Sequence, residues 1–225
     1  TCLNAASAIS DGLARAAVAA KVNGELVDLC VQLKEGDKLE IVTLKDKEGI
    51  EVYRHTCSHV LAQAVKTVFP TCNLAIGPVI DNGFYYDIDF KTPITQDDFE
   101  KIETEMAKII KSNTPIKRFE LERAEAIKLM AKYKEKYKVE LIEDLPEDAV
   151  ISFYKQGAFT DLCRGPHLPS TGKIKAFKLV SIAGAYWRGD EKNKMLTRIY
   201  GVAFATKEEM KAYFEMLEEA KKRDH

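Results

Sequence analysis

Apolar and polar positions along this chain follow two periods, and each change of period marks an element. Residues 17 to 22 (Ala-Val-Ala-Ala-Lys-Val) run into Asn23-Gly24, a strong hairpin signal because both residues tolerate the positive φ of a tight turn. Glu35-Gly36-Asp37 then precedes a second alternating stretch, Lys38 to Thr43, so the start of the chain predicts a small β-rich module. Only a short helix-prone piece near Asp11 to Ala16 precedes it, and the first part of the module is expected to lie outside this sequence. Lys45-Asp46-Lys47-Glu48-Gly49 carries no apolar periodicity and predicts a linker.

The helical period takes over from about Glu51 to Phe69, where Pro70 ends it. Asn73 to Ile80 and Phe84 to Phe90 predict strands joined through Asp81-Asn82-Gly83. Thr95 with Asp98 approximates a capping box for a helix over roughly 96–112, and a further helix is predicted from Glu122 to about Tyr133. Residues 134–145 fit neither period. Ala149 to Tyr154 and Ala158 to Leu162 predict a hairpin around Gln156-Gly157, followed by longer strands at Ile174 to Ala183 and Met195 to Phe204. Thr206 with Glu209 caps a closing helix to about Lys222. Helices and antiparallel strands without a regular βαβ alternation argue for α+β. Two domains are expected, over 1–46 and 47–225, with 207–225 a terminal helix.

Length and composition allow a real core: 225 residues, 46% of them hydrophobic. There is no run of about 18 apolar residues, and Thr1-Cys2-Leu3-Asn4 lacks the basic and apolar regions of a signal peptide. A soluble cytoplasmic protein with no membrane partner is expected. Five cysteines, an odd number without a Cys-x-x-Cys pair, read as reduced thiols, each by default a small buried apolar residue. A formal net charge of −1 gives no overall pull toward polyanions. Locally, Lys128, Lys132, Lys134, Lys136 and Lys138 stand against a single Glu135, and Lys173, Lys175 and Lys178 form a second basic stretch. These patches could meet phosphates or be plain solvated faces.

The chemistry gathers around sparse histidines. Of four, His55 and His59 sit four apart on the long helix, His167 lies four after Cys163, and only His225 stands alone. On a helical wheel Cys57, Leu61, Ala64 and Val68 share one side, whereas His55, His59, Ala62 and Lys66 fall nearly opposite, so both rings are expected to face a cleft or solvent. The pair alone is a weak signal, since a metalloprotease needs Glu directly after the first His and Thr56 stands there. With Cys163 and His167 added, the set is a plausible tetrahedral zinc group. Gly165 and Pro166 exclude a helix between Cys163 and His167, which predicts a tight loop after a strand. Asp161, two before Cys163, would share its face and bring a carboxylate to the same place, although a plain turn residue is the default reading.

Taken together, His55-Thr-Cys-Ser-His59, Gly77-Pro-Val-Ile-Asp-Asn-Gly-Phe-Tyr-Tyr-Asp87, Asp161-Leu-Cys-Arg-Gly-Pro-His167 and Ala185-Tyr-Trp-Arg-Gly-Asp190 closely resemble the editing domain of the threonyl-tRNA synthetase family. Val22-Asn-Gly-Glu-Leu-Val-Asp28 resembles the later part of the ubiquitin-like TGS module that precedes it, and the end of the chain resembles the helix leading to the synthetase core. The resemblance implies an α+β editing domain, with antiparallel sheet and flanking helices, that hydrolyses seryl-tRNA(Thr). Such a domain answers a physical limit: serine lacks one methyl of threonine, worth about 1–3 kcal/mol or 10- to 200-fold, where roughly 10⁴ is needed.

By the same resemblance His55, His59, Lys138, Asp161, Cys163 and His167 line the pocket, with Tyr86, Gly77 and Arg164 as substrate-binding neighbours. Lys138 and His55 are expected to position or activate the water and the ester, and the others to recognise serine and the terminal adenosine. Without the resemblance Lys138 reads as a solvated charge, and Tyr85, Tyr86 and Trp187 as strand-packing aromatics. Cys163 as a covalent nucleophile is the sharper alternative. Related alanyl-tRNA editing proteins hold zinc with the same ligand types, so His55, His59, Cys163 and His167 are the candidate ligands if a metal is present. The favoured reading needs no cofactor.

The implied partner is the 3′ end of tRNA(Thr) carrying serine. The synthetase core, with its ATP and zinc sites, is absent from these residues, so aminoacylation belongs to a longer parent, expected to be a homodimer, while this fragment is expected to be monomeric. Near-neutral charge implies weak tRNA affinity in isolation. Two rivals are a free-standing hydrolase of another mischarged tRNA and a non-catalytic RNA-binding module.

Overall fold

The computed structural model describes residues 1–224, so His225 lies outside the described residues. The chain opens with two short helices, α1 (Cys2–Ile9) and α2 (Asp11–Ala16). The hydroxyls of Thr1 and Ser10 cap them by accepting from the amides of Asn4 and Leu13. The sequence announced only the second helix. In α1 just Cys2 and Ala6 are buried, too few apolar positions to register as a period. Three strands follow, β1 (Ala17–Val22), β2 (Glu25–Val27) and β3 (Leu39–Thr43), in an antiparallel sheet of order β2-β1-β3. Asn23 at φ 53° and Gly24 at φ 84° make the predicted hairpin turn.

The expected linker at 45–49 is replaced by helix. α3 (Lys47–Val68) begins inside the charged run, where the Asp46 carboxylate accepts from the Thr43 amide and the Asp46 carbonyl accepts from Ile50. Gly49 approaches the sheet so closely that a Cβ there would sit 1.9 Å from the Thr43 carbonyl oxygen. Charge without periodicity concealed a helix start because the first turn is held by backbone contacts.

Beyond α3 come β4 (Asn73–Leu74), β5 (Val79–Ile80), β6 (Gly83–Asp89), α4 (Phe99–Lys111), β7 (Ile116–Glu120), α5 (Arg123–Lys132), α6 (Lys136–Glu143), β8 (Ser152–Gln156), β9 (Phe159–Leu162), β10 (Ala176–Tyr186), β11 (Met195–Phe204) and α7 (Lys207–Arg223). The strand predicted over 73–80 breaks in two at Gly77-Pro78, since Pro78 has no amide to donate and Gly77 lies flat on the Tyr86 ring. Thr95 and Asp98 do form a capping box, over a single 3₁₀ turn that leads into α4. The unassigned stretch 134–145 contains α6, and β7 carried no signal because an edge strand keeps only Ile116 and Phe119 half-buried.

Two antiparallel sheets make the larger part α+β. β10, β11, β6 and β4 run in that order, with β5 beside β6, and α3 and α4 cover them with a core that includes Tyr53, Leu61, Phe84, Ile88, Ile102 and Ile199. The second sheet, β7-β8-β9, packs with α5 and α6 around Met130, Ile142 and Phe153. Among the described residues no helix is long and apolar enough to cross a membrane.

Candidate active site

α3 is buried on nearly every side, and its histidine face, expected to meet a cleft or solvent, meets a cleft. Thr56, Ser58, His59 and Ala62 are buried as deeply as the apolar residues, because β6 and the loop after β9 pack against that face. His55 and His59 lie one turn apart, their ring centroids 5.1 Å from each other.

Opposite them, β9 supplies Asp161 and the following loop supplies Cys163 and His167. Gly165, at φ 75°, allows that loop to turn beneath Tyr154, whose hydroxyl oxygen would lie 1.8 Å from any Cβ at position 165. Cys163 Sγ is 3.1 Å from His167 Nε2 and 3.6 Å from His55 Nε2. The His167 ring lies 4.5 Å from His55 and 4.2 Å from His59 between centroids. The two distant sequence clusters therefore meet.

A second group completes the cleft. Lys138 on α6 reaches Asp161 Oδ1 at 2.9 Å and donates to the Tyr86 hydroxyl at 2.8 Å, while that hydroxyl donates to Asp161 Oδ2 at 2.7 Å. His59 Nε2 stands 3.6 Å from the same Oδ2. Lys138 is only 4% exposed, whereas Lys128, Lys132, Lys134 and Lys136 of the same basic stretch lie in solvent. The default reading of Lys138 as a solvated charge is wrong, because Tyr137, Lys138 and Ile142 form the inner face of α6.

These groups border an open cleft of about 400 Å³. His55, His59, Gly77, Tyr86, Lys138, Asp161, Cys163 and Arg164 all line it, with Arg164 exposed at the rim. His167 stands behind Cys163, 2% exposed, and shapes the site from beneath. Trp187 is a packing residue, buried against Tyr137 with its indole N–H on Glu140, and Tyr85 lies under the Arg198 guanidinium.

Burial sets the protonation of the first group. Desolvation pushes His55 down to about 4, and pushes His59 and His167 well below the usual imidazole range, aided by the neighbouring rings. It pushes the Cys163 thiol up to about 12, against a lowering contribution from the Gly165 amide, which donates to Sγ at 3.2 Å. At neutral pH this is a cluster of neutral rings around a protonated thiol. Its four donor atoms lie within 4.8 Å of one another, and three imidazoles with one sulfur suit a zinc ion.

Several supporting residues went unread in the sequence. Thr56 Oγ1 lies 2.9 Å from His167 Nδ1 and accepts from the Leu168 amide at 3.0 Å, which fixes the ring from behind. Ser58 Oγ donates to the carbonyls of His55 and Gly77, and Ser152 Oγ to that of Cys163. Asp28, from the first module, reaches the same loop. The positions of Thr56 and Ser58 between the histidines were a signal of sorts. Ser152 and Asp28 act across the fold and left none.

Residues 151–200 match the threonyl and alanyl tRNA synthetase second additional domain, and residues 1–43 match the TGS domain. A threonine–tRNA ligase of Clostridium tetani is 65% identical over 217 residues, which is 96% of this chain and 34% of the relative. That of Caldanaerobacter subterraneus subsp. tengcongensis is 60% identical over 220 residues, or 98% and 34%, and that of Clostridioides difficile 59% over 223, or 99% and 35%. The chain thus spans about a third of the length of the curated relatives it matches. It corresponds to the N-terminal portion of threonine–tRNA ligase, a TGS domain followed by the editing-associated second additional domain.

Proposed function

We propose that this cleft hydrolyses the ester of seryl-tRNA(Thr) and spares the threonyl ester. The observation that carries the reading is the buried Lys138–Asp161–Tyr86 triangle, set against the imidazole and thiol cluster in a cleft of about 400 Å³. That volume suits an aminoacylated nucleoside, which falls in the ordinary range for small-ligand sites of about 300–1,000 Å³.

An aminoacyl ester is already activated, so the site needs an oriented water, a proton acceptor and a cation near the carbonyl oxygen. Lys138 is the cation: its ammonium, largely withdrawn from solvent, would stabilise the oxyanion as it forms. His55 lines the cleft and is kept neutral by burial, so it can take a proton from water. The water oxygen bonds to the carbonyl carbon, the ester C–O bond breaks, and the proton passes to the departing ribose oxygen. His59 and Asp161 are placed to receive the seryl ammonium and hydroxyl, while Gly77, Tyr86 and Arg164 border the adenosine.

This reading gives Cys163 no covalent role, since burial pushes its thiol up to about 12 and outweighs the lowering effect of the Gly165 amide, favouring the thiol over a thiolate. It also needs no resident metal, because Lys138 supplies the buried positive charge. A zinc ion held by His55, His59, Cys163 and His167 would contribute Lewis acidity at the same place, and that is the second reading the donor set supports. The tRNA partner, the cytosolic compartment and the domain limits at 46 and 47 belong to the same proposal. A structure with a non-hydrolysable seryl-adenosine analogue tests it. The ester-mimicking carbonyl is expected within hydrogen-bond reach of Lys138, and an analogue bound outside the cleft would refute the assignment.

A further inference from the structure

The first module contributes a side chain to the support of the cleft. Asp28 follows β2, at the end of the hairpin that β1 and β2 form, yet it is buried at 8% exposure against the larger part of the chain. Its Oδ1 accepts from the His167 amide at 2.9 Å, and its Oδ2 accepts from the Tyr154 hydroxyl at 2.6 Å. Tyr154 in turn presents its ring edge-on to the His167 imidazole, with centroids 4.4 Å apart, and roofs the turn at Gly165.

His167 is therefore gripped at three points. Thr56 on α3 holds Nδ1, Tyr154 on β8 holds the ring face, and Asp28 holds the backbone. The position of the His167 ring sets those of Cys163, whose Sγ lies 3.1 Å from Nε2, and of His55, whose ring centroid lies 4.5 Å away and which takes the proton in the proposed hydrolysis, and both line the cleft. Asp28 is the only one of the three that comes from the first module. A buried carboxylate is costly unless its oxygens receive donors, and here both do. The surrounding contact does not require one: an apolar side chain of similar size would bury as much surface without ordering the loop.

We infer that Asp28 is a positioning residue for the hydrolytic cleft, so that the docked TGS domain is a working part of the site. The inference rests on the proposed hydrolysis for its kinetic consequence, though not for its structural one. A misplacement of about 1 Å in supporting groups can cost up to about 10²-fold in rate, so the expected loss is in kcat and not in KM.

The test uses the 225-residue chain with Asp28→Ala, Asp28→Asn and Tyr154→Phe, read by amide hydrogen exchange at His167 and by kcat and KM on seryl-tRNA(Thr). Asp28→Ala should speed exchange at His167 by about 100-fold and lower kcat about tenfold, with KM within about twofold. Asp28→Asn should return both to within about threefold of the parent, since the amide oxygen still accepts from His167 and Tyr154 can accept from the amide nitrogen. Unchanged exchange and kcat in Asp28→Ala would overturn the proposal, as would equal damage in Asp28→Asn. Should Asp28→Ala not fold, Tyr154→Phe decides: it leaves the His167 bond in place and should cost about threefold in kcat, and no loss counts against the inference. If the parent chain proves inactive on seryl-tRNA, the proposed function fails, while the exchange data still decide the positioning role.

Discussion

Where α3 meets the loop after β9, three imidazoles and a thiol crowd together, and burial drives each toward its neutral form. On the α6 side, an ammonium and a carboxylate are buried just as deeply but meet at 2.9 Å, with the Tyr86 hydroxyl bridging them. The same desolvation acts on both groups. The imidazoles are held neutral although His59 stands 3.6 Å from Asp161, whereas Lys138 and Asp161 answer it by pairing at 2.9 Å. The cleft thus holds proton acceptors beside a buried ion pair, a combination that ester hydrolysis can use and that neither half supplies alone.

Breaking the ion pair is the most damaging way to test that contrast. Lys138→Met leaves Asp161 buried without its cation and should cost about 3–5 kcal/mol of stability, measured by denaturant unfolding, along with nearly all hydrolysis. Lys138→Met combined with Asp161→Leu should recover most of the stability and none of the activity. If the double variant hydrolysed seryl-tRNA at the parent rate, the ammonium would have no place in the mechanism.

Acid should weaken the imidazole half of the cleft. The folded imidazoles bind protons less readily than unfolded ones: His55 falls from 6.5 to about 4. Between those values the unfolded chain binds more protons, so stability rises with pH through the window and is lost on acidification. Thermal unfolding should show a falling Tm from about pH 6.5 downward, and His55→Gln should flatten the slope. A slope unchanged by His55→Gln would mean that other groups govern it.

What the sequence disclosed divides along the same line. The imidazole pair was legible because a four-residue spacing on a helix places two side chains together, and Gly165-Pro166 forced the second pair into a loop. That both pairs meet was a reasonable inference from rarity. Lys138 was opaque, since it closes a run of lysines and its burial depends on how α6 docks; only the family resemblance singled it out. Asp28 lies 139 residues from His167 and carries no local pattern at all. Fold class and most elements followed from periodicity, whereas the helical start at Lys47 and the edge strand β7 are held by contacts that no short window contains.

Smaller effects sharpen the comparison. Cys163→Ser keeps a hydroxyl where the thiol accepts from Gly165, and hydrolysis should stay within about threefold of the parent; complete loss with a trapped acyl-enzyme would restore the covalent reading. Smallest of all should be the response to chelation: protein purified without chelator is expected to carry less than stoichiometric zinc and to lose no activity when treated with one. One zinc per chain whose removal abolishes hydrolysis would give the α3 side the cation now assigned to Lys138.

The most direct measurement is single-turnover deacylation by this chain of tRNA(Thr) charged in parallel with serine and with threonine. The seryl ester should be hydrolysed at least about tenfold faster, the discrimination that one methyl can carry. Equal rates on the two esters, or no hydrolysis of either, would contradict the account.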